Sequence, residues 1–255
     1  MTLDQCRRGL GTALSFALFG IGGLLIGLLI APVLKLTIRD ASRRRTHARV
    51  LIQYAFRAFG GLMRTLGVLD YRFEGLSRLQ RPGLLILANH PSLIDVVFLL
   101  GHVPQADCIV KGKLASNPFT RGPIRAAGYI TNRDPEAVLE AARQSLAAGN
   151  SLILFPEGTR TRPDRPVKFR RGGANIALRT GANITPVLIR CQPTTLTKGT
   201  PWYRIPPRKV QLDLHVLDDL SVPRETQQPT SLRARHLTRQ LSDHFNHELD
   251  RIQHA

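Results

Sequence analysis

The sequence has few cysteines, and their positions limit the class of protein. Its 255 residues include only Cys6, Cys108 and Cys191, which lie far apart with neither a Cys-x-x-Cys pair nor the spacing of metal ligands. Such isolated thiols indicate a reducing compartment rather than a disulfide framework. Cys108 and Cys191 each lie beside an apolar, strand-like run, so we expect both to be buried as small hydrophobic side chains.

Acidic residues are also scarce. There are 18 Asp and Glu against 36 Lys and Arg, which gives a formal net charge of +18. This excess favours a polyanionic partner: nucleic acid, an anionic membrane surface or a phosphorylated substrate. No nucleic-acid-binding module, internal repeat or low-complexity tract is recognisable, so we expect no nucleic-acid partner. A non-catalytic protein that binds anionic membranes or nucleic acid is the alternative from another class.

No charged residue occurs between Gly9 and Leu34. A helix over this run exceeds the roughly 30 Å hydrocarbon core of a membrane, and a cleaved signal peptide would have an apolar region of only about 7 to 15 residues. We therefore predict a membrane helix over about residues 10–34, although the glycines at positions 20, 22, 23 and 27 also permit a re-entrant insertion. Basic residues are denser after this run than before it, which places the rest of the chain on the cytoplasmic face of the cell (inner) membrane.

A basic amphipathic helix is predicted over about residues 42–66, where arginines mix with apolar residues at three- and four-residue steps. Its apolar stripe fits two situations, an interfacial helix on anionic lipid or a surface helix packed on the domain core. Residues 1–66 are thus predicted to be a membrane-anchoring segment, and residues 67–255 a catalytic domain.

Apolar runs that are typical of strands alternate with helix-compatible stretches in this domain, which predicts an α/β fold. The predicted strands are residues 83–88, 108–110, 151–155 and 184–190, and the predicted helices are 91–101, 135–148 and 173–180. Residues 208–217 alternate as a strand with one exposed side that extends or edges the sheet. A proline-rich surface loop over 192–208 precedes this strand, and a final amphipathic helix follows Pro229.

The first segment with residues suited to catalysis is Asn89-His90-Pro91-Ser92-Leu93-Ile94-Asp95. Pro91 suits the first position of a helix, so His90 is predicted to cap that helix and Asp95 to lie in its second turn. A capping histidine can fold back so that the aspartate reaches its ring. Asp95 would then fix the tautomer of His90, leaving the other ring nitrogen free as a general base toward a hydroxyl.

The second segment is Phe155-Pro156-Glu157-Gly158-Thr159-Arg160, which follows the apolar strand 151–155. The turn presents a carboxylate, a hydroxyl and a guanidinium together. Arg160 offers a fork that matches phosphate oxygens, and Glu157 is suited either to hold that fork or to accept a substrate hydroxyl.

Together these motifs resemble those of the glycerolipid acyltransferase family, the lysophosphatidate acyltransferase-like enzymes that move a fatty acyl group from a thioester to a lysolipid hydroxyl. The resemblance covers roughly residues 70–190. It implies a mixed central sheet flanked by helices, base and orienter roles for His90 and Asp95, and substrate binding by the other motif residues. These are Asn89 from the first motif and Glu157, Gly158, Thr159 and Arg160 from the third.

Two further segments resemble the second and fourth motifs of the family. Gly128-Tyr129-Ile130-Thr131-Asn132-Arg133 places Arg133 at the phosphate-binding position, and Pro186 lies in the apolar strand that would line the substrate site. The chain departs from the family at Asn132, where many members carry an acidic residue, and this bears on the acceptor head group. The basic segment 169–174 is either an anion-binding helix start or a solvated turn.

The resemblance implies an O-acyltransferase of phospholipid biosynthesis with 1-acylglycerol-3-phosphate as acceptor and acyl-CoA or acyl-ACP as donor. Its partners would be membrane lipids, the lysolipid and the thioester donor, acyl carrier protein included. We expect no metal and no cofactor, because the thioester is already an activated acyl donor. The alternative is a specialised acceptor such as a lipid-A-like lipid, an aminolipid or a polyene lipid, although Asp95 stands where the lipid A enzymes more often have Glu.

Overall fold

The fold is built around a seven-stranded sheet, seen in a computed structural model that describes residues 2–163, 165–222 and 228–254. The strands are β1 (Leu69–Glu74), β2 (Leu85–Ala88), β3 (Ala106–Val110), β4 (Ile130–Thr131), β5 (Ser151–Leu154), β6 (Ile184–Gln192) and β7 (Val210–Val216). The helices are α1 (Leu3–Leu25), α2 (Ala31–Thr37), α3 (Ala41–Thr65), α4 (Asp95–His102), α5 (Gly112–Ser116), α6 (Pro118–Ala127), α7 (Pro135–Ala147), α8 (Gly172–Thr180) and α9 (Thr230–His254). A π-helical stretch, Ile26–Ile30, joins α1 to α2, and a 3-10 helix, Leu76–Gln80, follows β1.

The strand order is β1-β7-β6-β2-β5-β3-β4. Strands β6, β2, β5, β3 and β4 run parallel to one another, whereas β7 is antiparallel to β6 and β1 is parallel to β7. The predicted α/β fold with a mixed central sheet flanked by helices is therefore confirmed.

The sheet is covered by helices on both faces, and β2 shows why its residues are apolar throughout. Ile86 and Ala88 pack into a core with residues of α3, α4 and α6, while Leu85 and Leu87 pack into a second core with residues of α7, α8 and α9. Because both faces of this strand are buried, neither face carries polar residues, and the sequence shows a continuous apolar run.

The sequence left open whether residues 208–217 extend the sheet or form its edge. Residues 210–216 do form a strand whose alternate residues are buried, as expected. However, β7 is not at the edge, because β1 pairs alongside it in parallel, with Leu69 opposite Val210 and Glu74 opposite His215. The sequence prediction missed β1, and it also missed α5 and α6.

The N-terminal helix satisfies the length and composition of a membrane span: Leu3–Thr37 has a mean hydropathy of 2.4 and is 11% buried over its most apolar stretch. Its start is fixed to the rest of the chain, because the Arg8 guanidinium donates to the main-chain carbonyls of residues 206–208. Three of its four central glycines pack against α6. A Cβ added to Gly23 would lie 1.9 Å from the Phe119 carbonyl oxygen, and one added to Gly27 would lie 3.0 Å from the Cα of Gly122.

The basic helix α3 packs on the domain core through its apolar stripe. Ile52, Phe59 and Met63 are buried, and the helix lies against α4 and α6. Of the two situations left open by the sequence, the structure shows core packing for these residues. One of the arginines, Arg49, is also buried, and its Nη2 donates to Asp107 Oδ2 over 2.8 Å.

The cysteine prediction is confirmed for the two interior thiols. Cys108 and Cys191 are both buried and free of disulfides. Burial raises the pKa of Cys191 to about 12, so this thiol stays protonated and unreactive at neutral pH.

Candidate active site

The predicted site residues converge at the carboxyl end of the parallel strands. The segments that follow β2, β5, β3, β4 and β6 all leave the sheet at this edge. In open α/β sheets this is where ligands bind, because the loops can carry polar groups there without interrupting the buried strands. The motifs at residues 89–95 and 155–160 therefore lie side by side, and residues 132–133 lie on the same edge of the sheet.

His90 and Asp95 form the predicted pair, with His90 Nδ1 2.9 Å from Asp95 Oδ2. The local geometry differs from the prediction, because α4 begins at Asp95 with Ile94 as its cap, so His90 is not the cap and Asp95 is not in the second turn. The Asp95 carboxylate folds back to accept a hydrogen bond from the Ser92 main-chain N–H over 2.7 Å, which closes a non-helical turn over residues 92–94. Pro91 thus precedes a turn instead of starting a helix.

The pair leaves one histidine nitrogen available for chemistry. Asp95 is completely buried and its carboxylate accepts the Nδ1 proton, so the lone pair of the neutral ring lies on Nε2. The His90 side chain is 18% exposed and stacks on Phe155 with ring centroids 4.3 Å apart. Burial raises the pKa of Asp95, while the hydrogen bond from His90 and the charge of Arg160 oppose that shift. The arrangement suits a general base that abstracts a proton from a hydroxyl.

Glu157 and Thr161 hold the backbone of His90. The His90 main-chain N–H lies 3.0 Å from Glu157 Oε1 and 2.9 Å from Thr161 Oγ1, and the Thr161 N–H donates to the His90 carbonyl over 2.7 Å. The Glu157 carboxylate thus supports the peptide that carries His90. Among the described residues it forms no hydrogen bond with Arg160, and its contact with a substrate hydroxyl stays a prediction. Burial raises the pKa of Glu157.

Arg160 is anchored through one end of its guanidinium. Nη1 donates to the carbonyls of Leu196 and Thr197, in the loop after β6, over 2.6 and 3.0 Å. Among the residues that the structure describes, its Nε and Nη2 form no hydrogen bond, so they remain available to an anion. Gly158 has φ +67°, which explains the glycine in this turn, and the neighbouring Thr159 is half-buried.

Lys111 is a functional candidate that the sequence prediction missed. It follows β3 directly, at the carboxyl end of the sheet. Partial burial, followed by the positive charges of Lys198, Arg160 and Arg170, lowers the pKa of its ammonium group. Arg160 is bonded to the carbonyls of residues 196 and 197, next to Lys198, and a Cβ on Gly158 would lie 3.1 Å from Arg170 Nε. With Lys111, whose pKa responds to all three charges, these cations form a cluster at the edge that carries the His90–Asp95 pair. The sequence contained one indication of this site: Lys111 directly follows a predicted strand, as His90, Asn132 and Glu157 do in their own segments.

The second motif lies one strand further along. Asn132 Oδ1 accepts a hydrogen bond from the Gly112 N–H over 3.2 Å, which ties the end of β4 to the start of α5. Arg133 is exposed, and its guanidinium lies over the same glycine: a Cβ on Gly112 would be 3.4 Å from Arg133 Nε. Arg133 is therefore on the correct edge of the sheet for the predicted anion contact.

Asn89 and Pro186 have structural contacts. The Asn89 amide accepts the Ile189 N–H over 2.7 Å and donates to the Ile189 carbonyl over 2.8 Å, in a buried position. Both ends of the amide thus hold the end of β2 to β6, and its contact with substrate stays a prediction. Pro186 is buried in β6 opposite Leu87, three residues before that clamp.

The basic segment 169–174 opens α8. Arg170 is fixed by its main-chain N–H, which donates to the Pro156 carbonyl over 2.8 Å. A Cβ on Gly173 would lie 3.1 Å from Leu87 and 3.2 Å from Leu154, so this glycine lets the helix pack closely on the sheet. Within residues 2–163, 165–222 and 228–254, no group of three or more His, Cys, Asp or Glu side chains is arranged to hold a metal ion.

Comparison with known proteins found a matching family model, similar sequences and a similar fold. Residues 70–190 match the family model described as Acyltransferase. The chain is similar to three proteins named 1-acyl-sn-glycerol-3-phosphate acyltransferase. The protein of Cocos nucifera is 31% identical over 40% of this chain and 36% of its own length. That of Helicobacter pylori is 30% identical over 52% of this chain and 60% of its own length. The Pseudomonas aeruginosa protein is 25% identical over 71% of this chain and 70% of its own length.

The fold is similar to the crystal structure of the 1-acyl-sn-glycerophosphate (LPA) acyltransferase PlsC from Thermotoga maritima. The two structures align with a TM-score of 0.68 over 97% of this chain and 99% of that one, at 24% sequence identity. The likeness therefore extends beyond residues 70–190 and includes the N-terminal helices.

Proposed function

We propose, from the premise that residues 70–190 belong to the acyltransferase family, that the chain transfers a fatty acyl group from a thioester to the hydroxyl of a lysophospholipid. The acceptor we propose is 1-acylglycerol-3-phosphate, and the donor is acyl-CoA or acyl-ACP. The observation that carries the proposal is a buried Asp95 paired with a partly exposed His90 beside the Lys111, Arg160, Arg170 and Lys198 cluster.

The chemistry follows from the free Nε2 of His90. This nitrogen takes the proton of the acceptor hydroxyl while the oxygen attacks the thioester carbonyl and forms the new C–O bond. The tetrahedral intermediate then breaks its C–S bond, and the imidazolium returns the proton to the leaving thiolate. Asp95 stabilises the imidazolium between these steps. No acyl-enzyme intermediate is needed, and His90 ends in its starting state.

The cation cluster would orient the acceptor by binding its phosphate. A lysophosphatidate phosphate carries up to two negative charges, and Lys111 together with the free edge of Arg160 can neutralise them within reach of His90. Holding the acceptor hydroxyl at attack distance reduces the entropic part of the barrier. The predicted membrane helix would keep the site on the cytoplasmic side of the membrane that contains the lipid acceptor.

The test is acyl transfer by the full chain in detergent, with labelled acyl-CoA and acyl-ACP offered alongside a panel of acceptors. We expect product with 1-acylglycerol-3-phosphate and much less with monoacylglycerol, which has the hydroxyl without the phosphate. Turnover confined to an acceptor outside the glycerophospholipids would replace the acceptor in this proposal, and a folded protein inactive on every lipid acceptor would overturn it.

Lys111→Met tests the phosphate contact. We expect KM for 1-acylglycerol-3-phosphate to rise about tenfold or more with a smaller change in kcat, because a hydrogen bond to a charged group contributes roughly 1.5 to 3 kcal/mol. Lys113→Met is the matched control, since Lys113 is exposed two residues further along α5. Equal KM values for the two variants would remove Lys111 from the site.

A further inference from the structure

A second concave site lies away from the carboxyl edge of the sheet, between the N-terminal helix and α6. Its volume is about 900 Å³. One wall is the apolar helix, with Leu24, Leu28 and Leu34, and the opposite wall is α6. The start of α3 closes one side. The floor is formed where Gly27 and Gly122 bring the two helix backbones into contact.

The lining of the cavity is also strongly basic. Five cations line the cavity: Lys35 from α2, Arg44 and Arg45 from α3, and Arg121 and Arg125 from α6. Arg121 and Arg125 are one helical turn apart, so both side chains lie on the face of α6 that borders the cavity. Among the residues that the structure describes around this cavity, none is acidic and none is aromatic.

Most of these cations have no hydrogen-bond or ion-pair partner among the described residues. Arg44 Nη1 donates to the carbonyls of Ile38 and Arg39 at the end of α2. The structure shows no ion pair or hydrogen bond for the side chains of Lys35, Arg45, Arg121 and Arg125 within its described residues. Cations that gather in a concavity without a carboxylate repel one another, and an anion relieves that repulsion.

We propose that this cavity binds an anionic phospholipid of the membrane, with its phosphate among the arginines and an acyl chain along Leu24 and Leu28. From the cavity, the apolar wall continues onto the outer surface of the predicted membrane helix. Leu28 and Leu29 there are 65% and 58% exposed. A polyanion such as nucleic acid would find no aromatic side chain here on which to stack a base. The combination of an aliphatic wall and a basic wall matches an amphiphile with a phosphate head.

The experiment measures lipid binding by the full chain in a non-ionic detergent, without reference to turnover. Dioctanoyl phosphatidylglycerol, dioctanoyl phosphatidylcholine and inorganic phosphate are titrated separately, and the bound fraction is read by native mass spectrometry. The test variant is Arg121→Gln with Arg125→Gln. The control is Arg235→Gln with Arg239→Gln, which removes the same charge from exposed positions on α9. Lipid that enters the His90 site is unaffected by either pair, so only the difference between them reports on the cavity.

We expect phosphatidylglycerol to bind the unmodified chain and the control equally, and the test variant about 30-fold more weakly, since each basic residue contributes roughly a factor of five near an anionic lipid head. Phosphatidylcholine should bind more weakly than phosphatidylglycerol, because its head has no net charge. Equal affinities in the test variant and the control would overturn the site. Inorganic phosphate that binds as tightly as phosphatidylglycerol would overturn the lipid as its occupant.

Discussion

Replacing His90 by Ala should reduce acyl transfer by about 10²- to 10⁴-fold, the usual contribution of a positioned general base. The variant removes the Nε2 atom that we propose as the base, while Glu157 and Thr161 still hold the main chain at this position. The loss should appear mainly in kcat, because the proposed phosphate contacts through Lys111 and Arg160 are untouched. The measurement is turnover of labelled thioester with 1-acylglycerol-3-phosphate in detergent.

The chain contains a matched control for this substitution. His215 Nδ1 also lies 2.9 Å from a carboxylate, that of Glu74, and its side chain is 19% exposed, but the pair joins β7 to β1 and is remote from the cation cluster. His215→Ala should therefore retain turnover. If His90→Ala kept more than a tenth of the unmodified rate while remaining folded, the general-base mechanism would be wrong.

Replacing Arg49 by Met should lower the free energy of unfolding by about 3 to 5 kcal/mol, the cost of leaving a buried charge without its partner. Asp107 is buried and accepts hydrogen bonds from Arg49 and from the Ser145 hydroxyl, and burial already raises its pKa. Arg49 Nε also donates to the Ala127 carbonyl over 3.0 Å, so one guanidinium joins α3 to β3 and α6. Chemical denaturation in detergent measures the change.

Two further variants distinguish the effect of an unpaired buried charge on stability from the effect of losing any arginine. Arg64→Met removes a pair with Asp70 whose two side chains are 48% and 38% exposed, and this change should cost at most about 1 kcal/mol. Adding Asp107→Leu to Arg49→Met should recover a large part of the stability, because no uncompensated charge is then left inside. A cost for Arg49→Met no greater than that for Arg64→Met would contradict the proposed role of the ion pair.

The buried strands were predictable because burial on two faces leaves an unmistakable apolar run, as in Leu85–Ala88 and Ser151–Leu154. Strand β1 was missed because only three residues separate it from the end of α3, so its short alternating pattern directly continues a long helical one. The start of α4 was misplaced because Pro91 is compatible both with a first helical turn and with the turn that precedes it. The hydrogen bond from the Ser92 N–H to Asp95 decides between them, and it is a property of the folded backbone.

In the site, too, local contacts could be predicted from the sequence and long-range contacts could not. Asp95 could be paired with His90 from the sequence because the two residues are five positions apart. The observed contacts of Asn89 and Glu157 depend on partners that no local pattern specifies: Ile189 is 100 residues from Asn89, and the peptide held by Glu157 is 67 residues away. Lys111 was missed for a related reason, since a single lysine after a short strand acquires meaning only when the strand order brings it beside Arg160.

The clamp between Asn89 and Ile189 has a consequence for biosynthesis. His90 leaves the ribosome early, but the residue that fixes the segment next to it is made 100 residues later. A nascent chain that has reached only α7 or β5 therefore carries both members of the His90–Asp95 pair without the strand that aligns them. In the proposed mechanism, His90 is therefore aligned for catalysis only after β6 has docked beside β2.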